Sequence, residues 1–91
     1  MKRVMGLMSK ITKLKERLLV CPNDFKWSEL KTLLISLGFR ESNVGKTSGS
    51  RVRFVSDEYP PIILHKPHPK PVLKRYQLKQ LIEHLKKEKL I

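Results

Sequence analysis

The spacing of apolar residues changes at Gly38 from the period of a helix to the period of a strand, and this change constrains the fold most. Before the glycine, leucines recur at i, i+3, i+4 and i+7, the pattern of a helix packed on one side. They are Leu30, Leu33, Leu34 and Leu37. A glycine at this point suits the left-handed residue that follows a helix. The sequence therefore predicts a helix from near Lys26 that ends at Gly38, followed by β structure.

After the glycine, apolar and polar residues alternate, as in strands that lie on a core. We predict three strands at 39–44, 50–56 and 62–66. A glycine-containing turn separates the first two, and a pair of prolines delays the third because proline cannot donate to a ladder. The strands are expected to form an antiparallel meander.

Two further amphipathic helices are predicted, one at 8–20 and one that carries Leu78, Leu81 and Leu85. The proline-rich segment 66–71 between sheet and last helix is expected to be an extended, stiff surface linker. A chain of 91 residues buries only one modest core, so we treat 1–91 as a single domain. The simplest arrangement is a two-layer α+β sandwich, with the N-terminal helix adding to the core. That helix could instead extend the basic surface or dock a partner.

Charge is the most unusual feature of the composition. Lysine and arginine number 20 against 8 acidic residues, which gives a net charge of +12. Such a charge favours a polyanion, and nucleic acid in particular, over a merely solvated surface or a membrane surface. Cys21 is the only cysteine, so the chain cannot form an internal disulfide or a cysteine-based zinc site. With no long apolar run and no signal-peptide core, a cytoplasmic protein without membrane contact is expected.

Alternation in the second strand places Arg51 and Arg53 together on the face opposite its apolar residues. If Ile62 and Leu64 face the core, His65 projects from that same basic face. An imidazole exchanges protons near neutral pH, which suits a general acid or base. The alternative for His65 is a strand-end histidine bonded only to backbone, and for the arginines it is a solvated sheet face.

Other basic and polar residues near this face are candidate RNA contacts, with ordinary surface residues as the alternative. They are Lys46, Ser50, Lys66, His68 and Lys70. His65 and His68 have the spacing of a metal pair, but no acidic residue or cysteine accompanies them, so we predict no metal. Trp27 and Tyr59 could stack on bases, although partial burial in the core is the favoured interpretation.

Three segments together resemble the HicA family of toxins. They begin with Trp27-Ser28-Glu29-Leu30, Gly49-Ser50-Arg51-Val52 and His65-Lys66-Pro67-His68. The resemblance covers residues 26–90, outside the N-terminal helix. It implies an α-β-β-β-α fold like that of double-stranded RNA-binding domains. It also implies a cofactor-free, metal-independent endoribonuclease that cleaves mRNA and is held inactive by a HicB antitoxin.

The chain departs from the family at one position that matters. The family pattern has a histidine after Gly-Ser, to which cleavage is attributed, whereas Arg51 follows Gly49-Ser50 here. A guanidinium can stabilise phosphate charge but cannot readily accept a proton. Catalysis would therefore need His65, with Arg51 as its partner and His68 as a weaker candidate. The alternatives are an RNA-binding module of the same fold that does not cleave, or, less favoured, a DNA-binding module.

Overall fold

The computed structural model describes residues 5–42 and 51–91, with side chains from residue 10 onward. Its elements, in chain order, are α1 (Met5–Leu19), α2 (Trp27–Ser36), β1 (Arg40–Ser42), β2 (Arg51–Val55), β3 (Ile62–His65) and α3 (Arg75–Lys87). This order confirms the predicted α+β class and the α-β-β-β-α arrangement with an additional N-terminal helix. The first helix begins three residues earlier than predicted, and the predicted turn at 45–49 lies outside the described residues.

The three strands form one antiparallel sheet in the order β1-β2-β3. Val52 pairs with Leu64 and Phe54 with Ile62, so these four side chains share the face that meets the helices. On the same face Glu41 of β1 reaches α2, where its carboxylate lies 3.1 Å from the Lys31 ammonium. The helices therefore cover one face of the sheet.

The core joins this covered face to apolar residues of all three helices. Phe54 is fully buried, and its ring centroid lies 5.9 Å from that of Trp27, which is itself only 6% exposed. Tyr59 is half-buried, with its ring centroid 6.0 Å from that of Phe39. Both aromatic residues thus belong to the core, as the favoured interpretation of the sequence had it.

Helix α1 adds to this core, as predicted. Leu18 is fully buried and Leu14 nearly so. Arg17 also ties α1 to the start of α2, because its Nη2 lies 3.1 Å from Glu29 Oε1 and 3.4 Å from Asp24 Oδ1. Its guanidinium carbon lies 5.5 Å from the centre of the Phe25 ring, within cation–π range. The N-terminal helix is therefore held by both apolar and ionic contacts.

The two ends of α2 follow local rules. Gly38 has φ +101°, and the next N–H, that of Phe39, donates to Leu34 O at 3.0 Å, which confirms the predicted glycine stop. At the start of the helix, the N-cap residue is Lys26. Its N–H donates to Glu29 Oε1 at 2.9 Å, so a side chain of the first turn satisfies the backbone of the cap residue.

The proline-rich segment was predicted to cross the surface as a linker, but its end is paired with the start of α2. Trp27 N–H donates to Pro71 O at 2.8 Å, and Leu73 N–H donates to Phe25 O at 2.9 Å. Leu73 is thereby drawn into the core with 2% of its surface exposed. These contacts anchor the chain immediately before α3.

Candidate nucleic-acid interface

The sheet face away from the helices, here called the open face, carries Arg51 and Arg53 from β2 and Ile63 and His65 from β3. All four side chains are exposed. The register pairs Arg51 with His65 and Arg53 with Ile63, and directly opposed residues in antiparallel strands have Cα atoms about 4.5–5.5 Å apart. The facing predicted for His65 from alternation is confirmed. The register further places it beside Arg51 in particular.

The two guanidinium groups of β2 have no acidic partner among the described residues. Neither Arg51 nor Arg53 forms an ion pair with a carboxylate in ranges 5–42 and 51–91. Arg40 of β1 is on the same face and was not among the residues predicted from the sequence. Its Nη1 lies 3.7 Å from Asp57 Oδ1, so part of its charge is balanced. The open face therefore offers its uncompensated positive charge along β2, next to an imidazole.

A buried glutamine holds the end of β3 in place. Gln77 of α3 is 5% exposed, and its Nε2 donates to the backbone oxygen of His65 at 2.9 Å. Its Oε1 accepts the N–H of Lys74 at 3.1 Å, so one side chain bridges the last residue of β3 and the start of α3. A buried amide with its donor and acceptor both used is a rigid link. Sequence reasoning missed this residue, although its position four residues before Leu81 puts it on the apolar stripe of α3.

Most of the other predicted RNA contacts lie in the segment that follows β3. Lys66, His68 and Lys70 are all exposed. His68 and Lys70 line a groove of about 490 Å³ that lies between this segment and the start of α3. Lys46 and Ser50 lie outside the described residues. The structure thus brings Arg51, Arg53 and His65 together on the sheet and places the remaining described candidates in the segment that follows β3.

Two negative findings apply to the described residues alone. In ranges 5–42 and 51–91, no group of three or more histidine, cysteine, aspartate or glutamate side chains is arranged to hold a metal ion. No helix in those ranges has both the length and the apolar character needed to cross a bilayer.

Comparison with known proteins identifies the family. A protein-family model described as HicA toxin of bacterial toxin-antitoxin matches residues 27–87, which is more than half of the chain. No curated protein and no solved structure matches the chain significantly. The matched range runs from the first residue of α2 to the last residue of α3 and contains the whole sheet. The chain therefore belongs to the HicA family of bacterial toxin-antitoxin toxins, and its expected partner is an antitoxin.

Proposed function

We propose that the chain is the toxin component of its system and acts as an endoribonuclease that cleaves mRNA in the cytoplasm. One observation carries the proposal: His65 lies directly opposite Arg51 on an exposed sheet face. This pair joins a side chain that exchanges protons near neutral pH to one that stabilises phosphate charge. Since proton transfer and charge stabilisation are the two needs of RNA cleavage, the pair suits that reaction.

In the proposed reaction, His65 accepts the proton of a ribose 2′-hydroxyl, and the 2′-oxygen attacks the adjacent phosphorus. The bond from phosphorus to the 5′-oxygen breaks, and that oxygen takes a proton from water, while His65 gives its own proton to the hydroxide that is left. The products are a 2′,3′-cyclic phosphate and a 5′-hydroxyl end. Arg51 stabilises the charge on the equatorial oxygens of the transition state, while Arg53 holds a neighbouring phosphate. No step of this reaction uses a metal ion, so we expect cleavage to persist in a metal chelator.

The direct test is induced expression of the wild-type chain in cells that lack any antitoxin. We expect growth arrest together with new mRNA 5′ ends that carry hydroxyl groups, which can be ligated only after phosphorylation. The comparison is the double variant His65→Ala/Arg51→Ala, for which we expect the fold to be retained because both replaced side chains are exposed. Cells that make this variant should grow normally with intact mRNA. Normal growth with soluble, folded wild-type chain would contradict the proposal.

A second candidate function is an RNA-binding module that does not cleave, and the arginine at position 51 favours it. The variant Arg51→His, which restores the family pattern, separates the two functions. If the wild-type chain binds RNA without cutting it and Arg51→His cuts, the chain is a binding module that has lost its chemistry. If the wild-type chain already cuts, the pair of His65 and Arg51 is sufficient for cleavage without a histidine at position 51.

For the antitoxin we propose a HicB-type protein that covers the open face. The positive charges of Arg51 and Arg53 suit an acidic partner, and Ile63 of β3, which lies opposite Arg53 with 51% of its surface exposed, offers an apolar contact beside them. Apolar anchors within a polar rim are typical of protein interfaces. Occupying this face would inhibit without altering the fold.

The antitoxin proposal predicts competition. Adding purified antitoxin to a complex of the chain with labelled RNA should release the RNA, and Arg53→Glu should weaken both complexes by about 10-fold because charge pairs at such surfaces contribute to binding. Fluorescence anisotropy measures both effects, with Lys79→Glu on α3 as the matched charge reversal. A ternary complex that retains RNA with the open face exposed would show that the antitoxin binds elsewhere.

A further inference from the structure

The groove beside α3 is built differently from the open face. Its volume of about 490 Å³ falls in the range of small-ligand sites. Pro67, Val72 and Leu73 provide an apolar floor, and Lys70, Lys74 and Arg75 provide cationic side chains around it. An apolar floor with a positively charged rim matches a ligand that has both a flat apolar part and a negative charge.

The cations around the groove have no acidic partner among the described residues. Lys70, Lys74 and Arg75 are all exposed, and within residues 5–42 and 51–91 none of them forms an ion pair with a carboxylate. Lys74 and Arg75 also stand at the start of α3, whose first turn contains no acidic residue. Cations near the start of a helix are unfavourable for the helix itself. Their presence is therefore not explained by the stability of α3, and a bound anion would relieve their repulsion.

The groove is rigidly connected to His65. Pro67 follows His65 by two residues, a span of at most about 7 Å. Gln77 strengthens the connection, since its amide bonds both the backbone oxygen of His65 and the backbone N–H of Lys74. The groove therefore begins close to the end of β3, the strand that carries His65.

We propose that this groove binds one nucleotide of single-stranded RNA next to the cleavage position. Lys70, Lys74 and Arg75 hold its phosphate, and its base lies against Pro67 and Val72. The inference rests on the proposed function and adds a substrate class to it, because a base can enter the groove only when it is unpaired. Recognition of splayed single-stranded bases is the usual route by which proteins discriminate among RNA sequences.

The first test is RNA binding by the double variant Lys70→Gln/Arg75→Gln. For a labelled oligouridylate we expect affinity to fall about 10-fold, and the slope of log K against log salt to become shallower by about 0.7, the value for one lost phosphate contact. The matched control is Lys86→Gln/Lys87→Gln, which removes the same charge at the far end of α3, about 18 Å away. That control should bind RNA nearly as the wild-type chain does.

The second test locates the base. Photocrosslinking of an oligouridylate that contains 4-thiouridine should label residues 67–75, and a base-paired duplex should compete poorly. Crosslinks confined to other segments, or a duplex that competes as well as a single strand, would overturn the groove assignment.

The outcomes separate this inference from the ribonuclease proposal. If the groove variant binds like the wild-type chain while Arg51→Gln/Arg53→Gln loses RNA, the groove assignment is wrong and the open face remains the RNA site. If the groove variant loses RNA but no form of the chain cleaves it, the groove stands and the ribonuclease proposal fails. In a cleaving enzyme, the groove variant should raise KM and leave kcat nearly unchanged.

Discussion

Replacing His65 by glutamine is expected to lower the rate constant for RNA cleavage by about 10²- to 10⁴-fold, the usual contribution of a general acid or base. Glutamine keeps the size and hydrogen-bonding capacity of the side chain but cannot accept a proton. The fold should not change, because the His65 side chain is exposed and the bond to Gln77 is made by the backbone oxygen of His65, which the substitution keeps. Single-turnover cleavage at saturating RNA measures the effect directly.

The matched control is His68→Gln, which removes an exposed imidazole three residues later. Since His68 lines the groove and does not stand opposite Arg51, we expect it to weaken RNA binding a few-fold and to leave the saturated rate nearly unchanged. RNA affinity of His65→Gln should stay within a few-fold of the wild-type value. An unchanged cleavage rate in folded His65→Gln would show that another group performs the proton transfer.

Replacing Phe54 by alanine is expected to lower the free energy of unfolding by about 3–5 kcal/mol, as for other large aromatic residues in cores. Phe54 is fully buried in the central strand and packs on Trp27 at the start of α2. Small domains have total stabilities of about 5–15 kcal/mol, so this loss would leave the variant marginal. Urea denaturation followed by circular dichroism measures the change.

Ile63→Ala on the neighbouring strand is the control for Phe54→Ala. Ile63 is an apolar residue of the same sheet, but it lies on the open face with 51% of its surface exposed. We expect its unfolding free energy to change by no more than about 0.5 kcal/mol. If the two variants lost equal free energy of unfolding, the result would contradict the structure, in which one face of the sheet is buried and the other is exposed.

The function of the chain depends on the same distinction between faces. Residues 52 and 54 tie β2 to the core, and residues 51 and 53 are thereby turned outward. A shift of one residue in the pairing would exchange the two sets. The packing of the core therefore also fixes the position of the basic side chains. A partly unfolded Phe54→Ala chain should lose RNA binding to the same extent as it loses its fold.

The sequence by itself determined the helices, the strands and the facing of each side chain in β2 and β3. These follow from local geometry, since the spacing of apolar residues shows the 3.6-residue period of a helix and the two-residue period of a strand. Gly38 likewise marks the end of α2, because the backbone there needs a positive φ that side chains disfavour. The family resemblance, carried by motifs of the same segments, agrees with the matched range of 27–87.

Only the tertiary structure decided which residues meet. Strand register, which sets Arg51 against His65, depends on hydrogen bonds between segments 14 residues apart in the chain, and alternation fixes facing but not partners. The link through Gln77 and the groove around Lys74 and Arg75 bring α3 beside the end of β3, a contact that no local period encodes. The physical reason is that periodicity reports the shape of one element, whereas a site is made by packing elements against one another.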